Sequence, residues 1–295
     1  MKGRFWNGGY ELKAIIVAAA LPLCVAATEV NAAEKGLCRF NTATLAFAGD
    51  APAQADCLLR FVKFKGSGST PQTVPAAIRS RVWKPVDLSL TQLQACLTGK
   101  NLPVAEFGIA SAIDTEAKKL KYFVIHDTSS PEFSTTAGFP PNINMESWSG
   151  NQISTGWVDL KDRVHFILNR AGKSRVMTTL GAARAKPATK LEQTSQHSAA
   201  RPVFVHVENI QPRLKPPGSW GHTAPDPGFS EAQMTRLAQI YVGASVVAGN
   251  WLIPAFHFNI DAQLYPGVDV HDDPQSFNLP AFAAKVDQFI NECKS

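Results

Sequence analysis

Three apolar runs between residues 120 and 261 each end abruptly in polar residues. They lie at 120–130 (LKYFVIHDTSS), 200–213 (ARPVFVHVENIQPR) and 250–261 (NWLIPAFHFNID). Continuous apolar runs of this kind are typical of strands that are buried on both faces of a sheet. A fourth segment, 163–180 (RVHFILNRAGKSRVMTTL), alternates and turns at Ala171 and Gly172, which predicts a β-hairpin.

Two segments have the periodicity of helices. In 88–97 (LSLTQLQACL) the apolar residues recur at helical spacing. The longer segment, 231–249, follows Ser230 as a predicted N-cap and ends at Gly249. Strands that alternate with helices predict an α/β fold, with a mixed central β-sheet flanked by helices. We assign this sheet to a main domain over 120–295 and a small, mainly helical lobe to 33–119.

The segment from Ala182 to Ala200 (AARAKPATKLEQTSQHSAA) has neither pattern. Nothing in it buries apolar residues at a regular spacing, and long segments without a pattern are usually loops. We therefore predict a long mobile loop here.

The N-terminus has the pattern of a secretory signal peptide. Lys2, Arg4 and Lys13 flank the apolar run 14–27, which ends in small residues, and Val30 and Ala32 suit cleavage after residue 32. The alternative is an N-terminal membrane anchor, although the run is shorter than the roughly 20 apolar residues that a spanning helix needs. We predict an exported protein, periplasmic or extracellular, with no stable membrane insertion after cleavage of residues 1–32.

Charge and cysteine content narrow the choice of partners. The formal net charge is +5, but Lys and Arg are scattered, so the sequence does not indicate nucleic-acid binding. Four cysteines follow the signal peptide, and none forms a C-x-x-C pair. Export permits disulfides, so we expect one or two, with Cys38–Cys57 the most local pairing and the connectivity left open.

Histidines near strand ends and a late acidic motif are the candidate chemistry. His126 ends one apolar run and His257 lies in another, and the motif HDDPQSF (271–277) adds Asp273 before a proline. A single buried histidine is more often a packed core residue than a ligand. Two histidines and one carboxylate, however, leave an open position on tetrahedral zinc, as in catalytic sites. Proline holds the residue before it extended, which favours Asp273 as third ligand over His271; Asp272 is then an outer or solvated carboxylate.

These motifs resemble those of the zinc-dependent N-acetylmuramoyl-L-alanine amidases of type 2, relatives of the peptidoglycan recognition proteins. YFVIHDTSSP, VHFILNRAG, FVHVENIQPR, IPAFHFNID and HDDPQSF occur in that family's order, over about 120–282. The resemblance implies that family's fold, with His126, His257 and Asp273 as zinc ligands. It also implies Glu208 as general base and His271 as the group that stabilises developing charge, where the family commonly has lysine. His165 matches a position that lines the family's cleft, and a packed strand histidine is the alternative.

The resemblance implies an exported zinc hydrolase that cleaves the amide between N-acetylmuramic acid and L-alanine in peptidoglycan or muropeptides. The alternative is a non-catalytic peptidoglycan-binding module, motivated by histidine at position 271. Such modules tend to lose the acidic ligand, whereas Asp273 is present. A zinc protease or deacetylase would use the same metal chemistry, but the sequence contains no H-E-x-x-H motif.

Overall fold

A five-stranded mixed sheet forms the centre of the molecule. The computed structural model describes residues 38–63, 68–109, 115–194, 197–216, 222–264 and 271–294, so the predicted signal peptide lies outside the described residues. The strands are β1 (Phe40–Asn41), β2 (Ala46–Phe47), β3 (Phe61–Val62), β4 (Ser69–Thr70), β5 (Tyr122–Asp127), β6 (Glu132–Ser134), β7 (Phe166–Leu168), β8 (Ser174–Val176), β9 (Phe204–Asn209), β10 (Arg213–Lys215) and β11 (Ile253–Phe256). The central sheet has the order β11-β5-β9-β7-β8.

Four neighbouring strands of this sheet are parallel. β11, β5, β9 and β7 run in one direction, and β8 returns antiparallel to β7 as the predicted hairpin. The remaining strands form three two-stranded pairs, β1 with β2, β3 with β4, and β6 with β10. The predicted mixed sheet flanked by helices is confirmed at this level.

Helices cover the sheet. They are α1 (Ala51–Leu58), α2 (Ala76–Arg79), α3 (Leu90–Gly99), α4 (Lys190–Gln193), α5 (Glu231–Ala248), α6 (His257–Asp261) and α7 (Leu279–Lys294). Helix α5 begins and ends as predicted: the Ser230 side chain accepts a hydrogen bond from the Gln233 N–H, and Gly249 closes the helix with φ 84°. Tyr241 of α5 packs edge-on against Phe123 of β5, at 5.3 Å between ring centroids.

The opposite face of the sheet is covered by the N-terminal segment. Phe47 packs edge-on against Tyr122, and the Tyr122 hydroxyl donates a 2.7 Å hydrogen bond to Gln54 of α1. Phe40 lies 5.9 Å from Phe204 of β9 between ring centroids. One hydrophobic cluster contains the buried apolar residues described within 38–119 and most of those of the sheet, whereas Ile167 of β7 belongs to a second cluster. The division into a lobe and a main domain remains a prediction.

The four cysteines that the structure describes form two disulfides. Cys38–Cys57 spans 19 residues, as the local pairing predicted, and Cys96–Cys293 spans 197 residues and ties α3 to α7. Disulfides persist in oxidising compartments, which indicates an exported protein. Within the ranges described above, no helix combines the length and apolarity that a membrane span requires.

Two finer expectations from the sequence are wrong. The strand that carries residues 253–256 ends at Phe256, so His257 is the first residue of α6 and not a strand residue. The segment 182–200 contains α4 and the start of a 3-10 helix, and it buries Arg184, Leu191 and Glu192. Both errors arose because these elements are too short for a periodic pattern.

The two disulfides allow a test of how they stabilise the fold. Loop-closure entropy predicts that the Cys96→Ala/Cys293→Ala variant loses about 5 kcal/mol of unfolding free energy and Cys38→Ala/Cys57→Ala about 3 kcal/mol. Urea denaturation of both variants beside the wild type measures the two losses. A larger loss for the 38–57 pair would show that packing around the bridge, and not loop length, sets the contribution.

Candidate metal centre

Parallel register brings the candidate residues to one edge of the sheet. His126 lies directly opposite Glu208, and Phe256 lies opposite Ile125, so His257 follows at the level of His126. The carboxyl ends of parallel strands meet at this edge, where ligands bind in open α/β sheets. Asp273 arrives from the loop before α7, and its backbone carbonyl accepts a 3.0 Å hydrogen bond from the Phe258 N–H.

His126, His257 and Asp273 converge on one point. The two Nδ1 atoms are 3.0 Å apart. Asp273 Oδ1 lies 2.9 Å from His257 Nδ1, and Asp273 Oδ2 lies 3.6 Å from His126 Nδ1. All three side chains are buried, and one ligand atom from each falls within 4.8 Å of the others. This group can hold a metal ion.

Two features of the geometry fit a cation at this point. The two Nδ1 atoms face each other at 3.0 Å, and each has a lone pair that could bind a metal when the nitrogen carries no proton. Asp273 Oδ1 is buried and makes no hydrogen bond within the described residues, despite its proximity to His257. A buried carboxylate oxygen without a partner is unfavourable, and a metal ion would satisfy it together with both nitrogens. Imidazole and carboxylate are a normal donor set for a divalent transition metal.

Two buried side chains, His206 and Glu192, form a series of hydrogen bonds that begins at Nε2 of His126. His126 Nε2 lies 2.8 Å from Nδ1 of His206, and His206 Nε2 lies 3.3 Å from Oε1 of Glu192. Glu192 also accepts a hydrogen bond from Arg184. If Nδ1 of His126 binds a metal, its Nε2 carries the proton and donates to His206, which then donates to Glu192. This series therefore fixes the tautomer and the ring orientation of His126.

His257 has an outer partner of its own. Its Nε2 lies 3.0 Å from Oδ2 of Asp261, one turn later on α6. The Asp261 carboxylate also accepts hydrogen bonds from the backbone N–H groups of Lys190 and Leu191, at 2.8 and 2.9 Å. These are the first N–H groups of α4, which lack partners within a helix and favour a negative charge. Helix α4 thus supports both histidines, through Glu192 and through Asp261.

Asp127 positions the third candidate ligand. Its backbone N–H donates to Asp273 Oδ2 at 3.2 Å, and its carboxylate accepts from the Gln275 N–H at 2.8 Å. Arg213 forms a buried ion pair with the same carboxylate. Asp127 therefore forms hydrogen bonds with the residues on both sides of Pro274. These bonds hold the Asp273 carboxylate beside the two histidines.

Burial disfavours the charged forms of His126, His257 and Asp273. The charged neighbours of each residue then set the direction in which its pKa shifts. Burial lowers the pKa of His126 well below its ordinary value, and His257 lowers it further. Burial acts likewise on His257, but Asp273 and Asp261 outweigh it and raise the pKa of His257 well above its ordinary value. His257 in turn holds the pKa of Asp273 low despite its burial. The shifts favour the neutral form of His126 and the protonated form of His257, so metal binding to both rings would have to displace a proton from His257.

Glu208 stands beside the three residues at the floor of a cleft. Its Oε2 lies 4.0 Å from Nδ1 of His126. Burial raises the pKa of Glu208 to about 8, and Asp273 and Asp127 add to the shift. The cleft has a volume of about 310 Å³ and includes the basic residues Arg163 and Lys190 in its walls. A carboxyl group with a pKa near neutrality is suited to taking up and releasing a proton.

His271 lies at the open side of the same cleft. It is exposed, and its ring stacks on His257 at 5.0 Å between centroids, without joining the group of converging ligand atoms. His165 lies elsewhere: it is buried, its Nδ1 accepts a 3.1 Å hydrogen bond from the His206 N–H, and it lines a different cavity. The packed strand histidine is therefore the better description of His165, and the roles of the other five residues stay predictions.

The supporting residues His206, Glu192, Asp261 and Asp127 were not identified from the sequence. His206 had a usable signal, because it shares the alternation of β9 with Glu208 and so lies on the same face. Asp261 had a weaker signal, its spacing of four residues from His257. Glu192 lies in a segment without periodicity, so its position depends on tertiary packing.

The series of hydrogen bonds that begins at His126 predicts a loss of metal affinity on substitution. His206→Leu removes the acceptor of the His126 Nε2 proton but leaves the Arg184–Glu192 pair in place, so the dissociation constant for Zn²⁺ or Co²⁺ should rise about 10- to 100-fold. Competition with a chromogenic chelator measures it. His197→Leu is the matched control, since His197 belongs to the same part of the fold but does not contact His126. Equal affinities for wild type and His206→Leu would contradict a positioning role.

Comparison with known proteins adds no assignment to this geometry. The chain matches no protein-family model, no curated protein and no solved structure. The residues of the metal centre, and the sequence motifs that resemble those of type 2 amidases, are therefore the basis for a proposed function.

Proposed function

We propose that this protein is an exported zinc amidase that hydrolyses the bond between N-acetylmuramic acid and L-alanine in peptidoglycan or muropeptides. The observation that carries the proposal is a buried group of two histidines and one aspartate, with a proton-accepting glutamate 4.0 Å from one histidine. Two histidines and one carboxylate are a ligand set of catalytic zinc, because they leave a coordination position open. The amidase fold, the zinc and the periplasmic or extracellular location all belong to this proposal.

Each residue of the cleft has its own role in the proposed hydrolysis of the amide bond. His126, His257 and Asp273 would hold zinc, which when bound supplies a Lewis acid that activates water and polarises a carbonyl. Glu208 takes the proton from the attacking water and passes it to the leaving amine of L-alanine. His271, at the open side of the cleft, offsets negative charge that develops on the carbonyl oxygen. Arg163 and Lys190 offer positive charge to the carboxylates of a stem peptide.

The environment of Glu208 supports its role as base. The group needs a pKa between that of a free carboxylate and that of an amine, since it must accept a proton from water and release it to the amine. Burial and the neighbouring carboxylates raise the pKa of Glu208 in that direction. An exposed strand glutamate would have neither cause.

Glu208→Gln tests the reaction directly. The substitution preserves size but removes the proton acceptor, so zinc should be retained while the rate falls about 100- to 10,000-fold. Mass spectrometry of purified muropeptides, incubated with mature protein and zinc, follows the separation of sugar from peptide. Glu146→Gln, which changes an exposed glutamate paired with Lys173, is the control.

Intact substrate with the zinc-loaded wild type would refute the amidase proposal. If the same protein were retained on insoluble cell wall, the non-catalytic binding module would be the better description. That alternative is motivated by His271, which stands where the resembling family commonly has lysine.

Substitutions in HDDPQSF separate the ligand from the charge stabiliser. Asp273→Ala should abolish stoichiometric zinc, because two histidines alone bind it weakly. His271→Ala should keep the zinc and lose about 100- to 1000-fold in rate, and His271→Lys should recover part of that rate. Zinc content by atomic emission, beside the amidase rate, makes the comparison. Loss of zinc in His271→Ala with retention in Asp273→Ala would reverse the two roles.

A further inference from the structure

A second cavity is lined by residues that are close in sequence to residues of the metal-centre cleft. It is open to solvent and has a volume of about 500 Å³. Its wall includes Ser130 and Pro131, which directly follow the cleft residues Thr128 and Ser129. On the other side the 3-10 helix Val158–Leu160 connects the two spaces, since Leu160 lines the cleft and the preceding Trp157 lines the second cavity. A single extended ligand can therefore occupy both.

Three aromatic residues, Phe133, Trp148 and Trp157, line this second cavity. Trp148 and Phe133 lie against each other with 6.3 Å between ring centroids, and Trp157 forms a further part of the wall. The Trp148 ring is fixed in place by Gly150: a Cβ at that position would lie 2.4 to 2.7 Å from the indole carbons, so only glycine leaves room for the ring. Trp157 has φ 62°, a conformation that bulky residues rarely adopt.

The polar groups of the cavity are neutral. Ser149, Gln152 and Thr155 contribute hydroxyl and amide groups, and among the described lining residues none carries a charge. The metal-centre cleft differs, because Arg163, Lys190 and the carboxylates lie there. The two spaces therefore suit two chemically different parts of one ligand, one charged and one uncharged.

An uncharged ring with one apolar face and a rim of hydroxyl and amide groups has the matching chemistry. A pyranose stacks the C–H bonds of its face on an aromatic ring, and its hydroxyl and acetamido groups pair with neutral donors and acceptors. A peptide carboxylate or a phosphate would instead need a cation, which the cavity wall lacks among the described residues. An aliphatic chain would leave the polar groups unpaired.

We propose that this cavity is a binding subsite for an N-acetylated amino-sugar ring of the glycan, with Trp157 as its stacking residue. The inference rests on the proposed amidase function, and it fixes the direction of the substrate. The glycan runs over Trp157 and Ser130, the scissile amide lies at the metal centre, and the stem peptide continues toward Arg163 and Lys190.

Binding of a peptide-free sugar tests the subsite without requiring catalysis. The probe is a tetramer of N-acetylglucosamine, titrated by calorimetry into mature protein both with and without added zinc. Wild type should bind in both states. Trp157→Ala should weaken binding about tenfold, and Trp157→Phe, which keeps a ring, should retain most of it.

Trp83→Ala is the matched control. Trp83, like Trp157, is a tryptophan with positive φ (61°) that lines a cavity, but it lies beside Tyr122 and Ile253, at the opposite end of the parallel strands. Its loss should leave sugar binding unchanged. Thermal unfolding of each variant identifies any that fails to fold, in which case Trp157→Phe and Gln152→Ala carry the comparison, with Gln152→Ala expected to weaken binding.

The outcomes of this subsite test and of the amidase test are distinguishable. Sugar binding that depends on Trp157, in a protein that releases no peptide, would support the subsite and refute the amidase. Peptide release without measurable binding of the tetramer, or with binding that is the same in Trp157→Ala and wild type, would overturn the subsite and leave the amidase standing.

Discussion

The structure of the metal centre depends on one constraint: its polar side chains are buried away from water and need other partners. Two imidazoles and an aspartate are placed against an apolar sheet, where each polar atom is unfavourable unless another group satisfies it. His206 and Asp261 satisfy the outer nitrogens of the two histidines, and Asp127 holds the aspartate. The outer residues are paired in turn, with Arg184 for Glu192 and Arg213 for Asp127. Among the described side chains of the three candidate ligands, one Asp273 oxygen is buried without a hydrogen-bond partner, at the point where the ligand atoms converge.

The sequence predicted the elements whose patterns are local. The apolar runs that contain Tyr122–Asp127 and Phe204–Asn209 are long enough to identify strands, and Ser230 and Gly249 mark the ends of α5 through their own side chain and backbone. The strand assignment placed His126 and Glu208 near strand ends, but their proximity depends on the pairing of β5 with β9, which the sequence did not predict. The pairing Cys38–Cys57 followed from short separation.

The remaining features depend on contacts between distant parts of the chain. Helix α4 has only four residues, and the groups that fix it are the Asp261 carboxylate, 71 residues from Lys190, and its own capping residue Thr189. A short stretch of sequence around α4 cannot reveal the contact with Asp261, because the two lie 71 residues apart. The change from strand to helix at His257 was missed for a related reason, since an apolar run looks alike in a buried strand and in a buried helix.

The three converging residues are far apart in sequence: His126 and His257 are separated by 131 residues, and Asp273 follows 16 residues later. An unfolded chain therefore presents no site, and a metal ion would bind the folded state alone. Metal uptake and folding are then thermodynamically linked, so each tenfold rise in free metal above the dissociation constant adds about 1.4 kcal/mol to the unfolding free energy. A metal ion in this site would therefore act on the equilibrium between folded and unfolded chain, and its removal by a chelator would lower the free energy of unfolding.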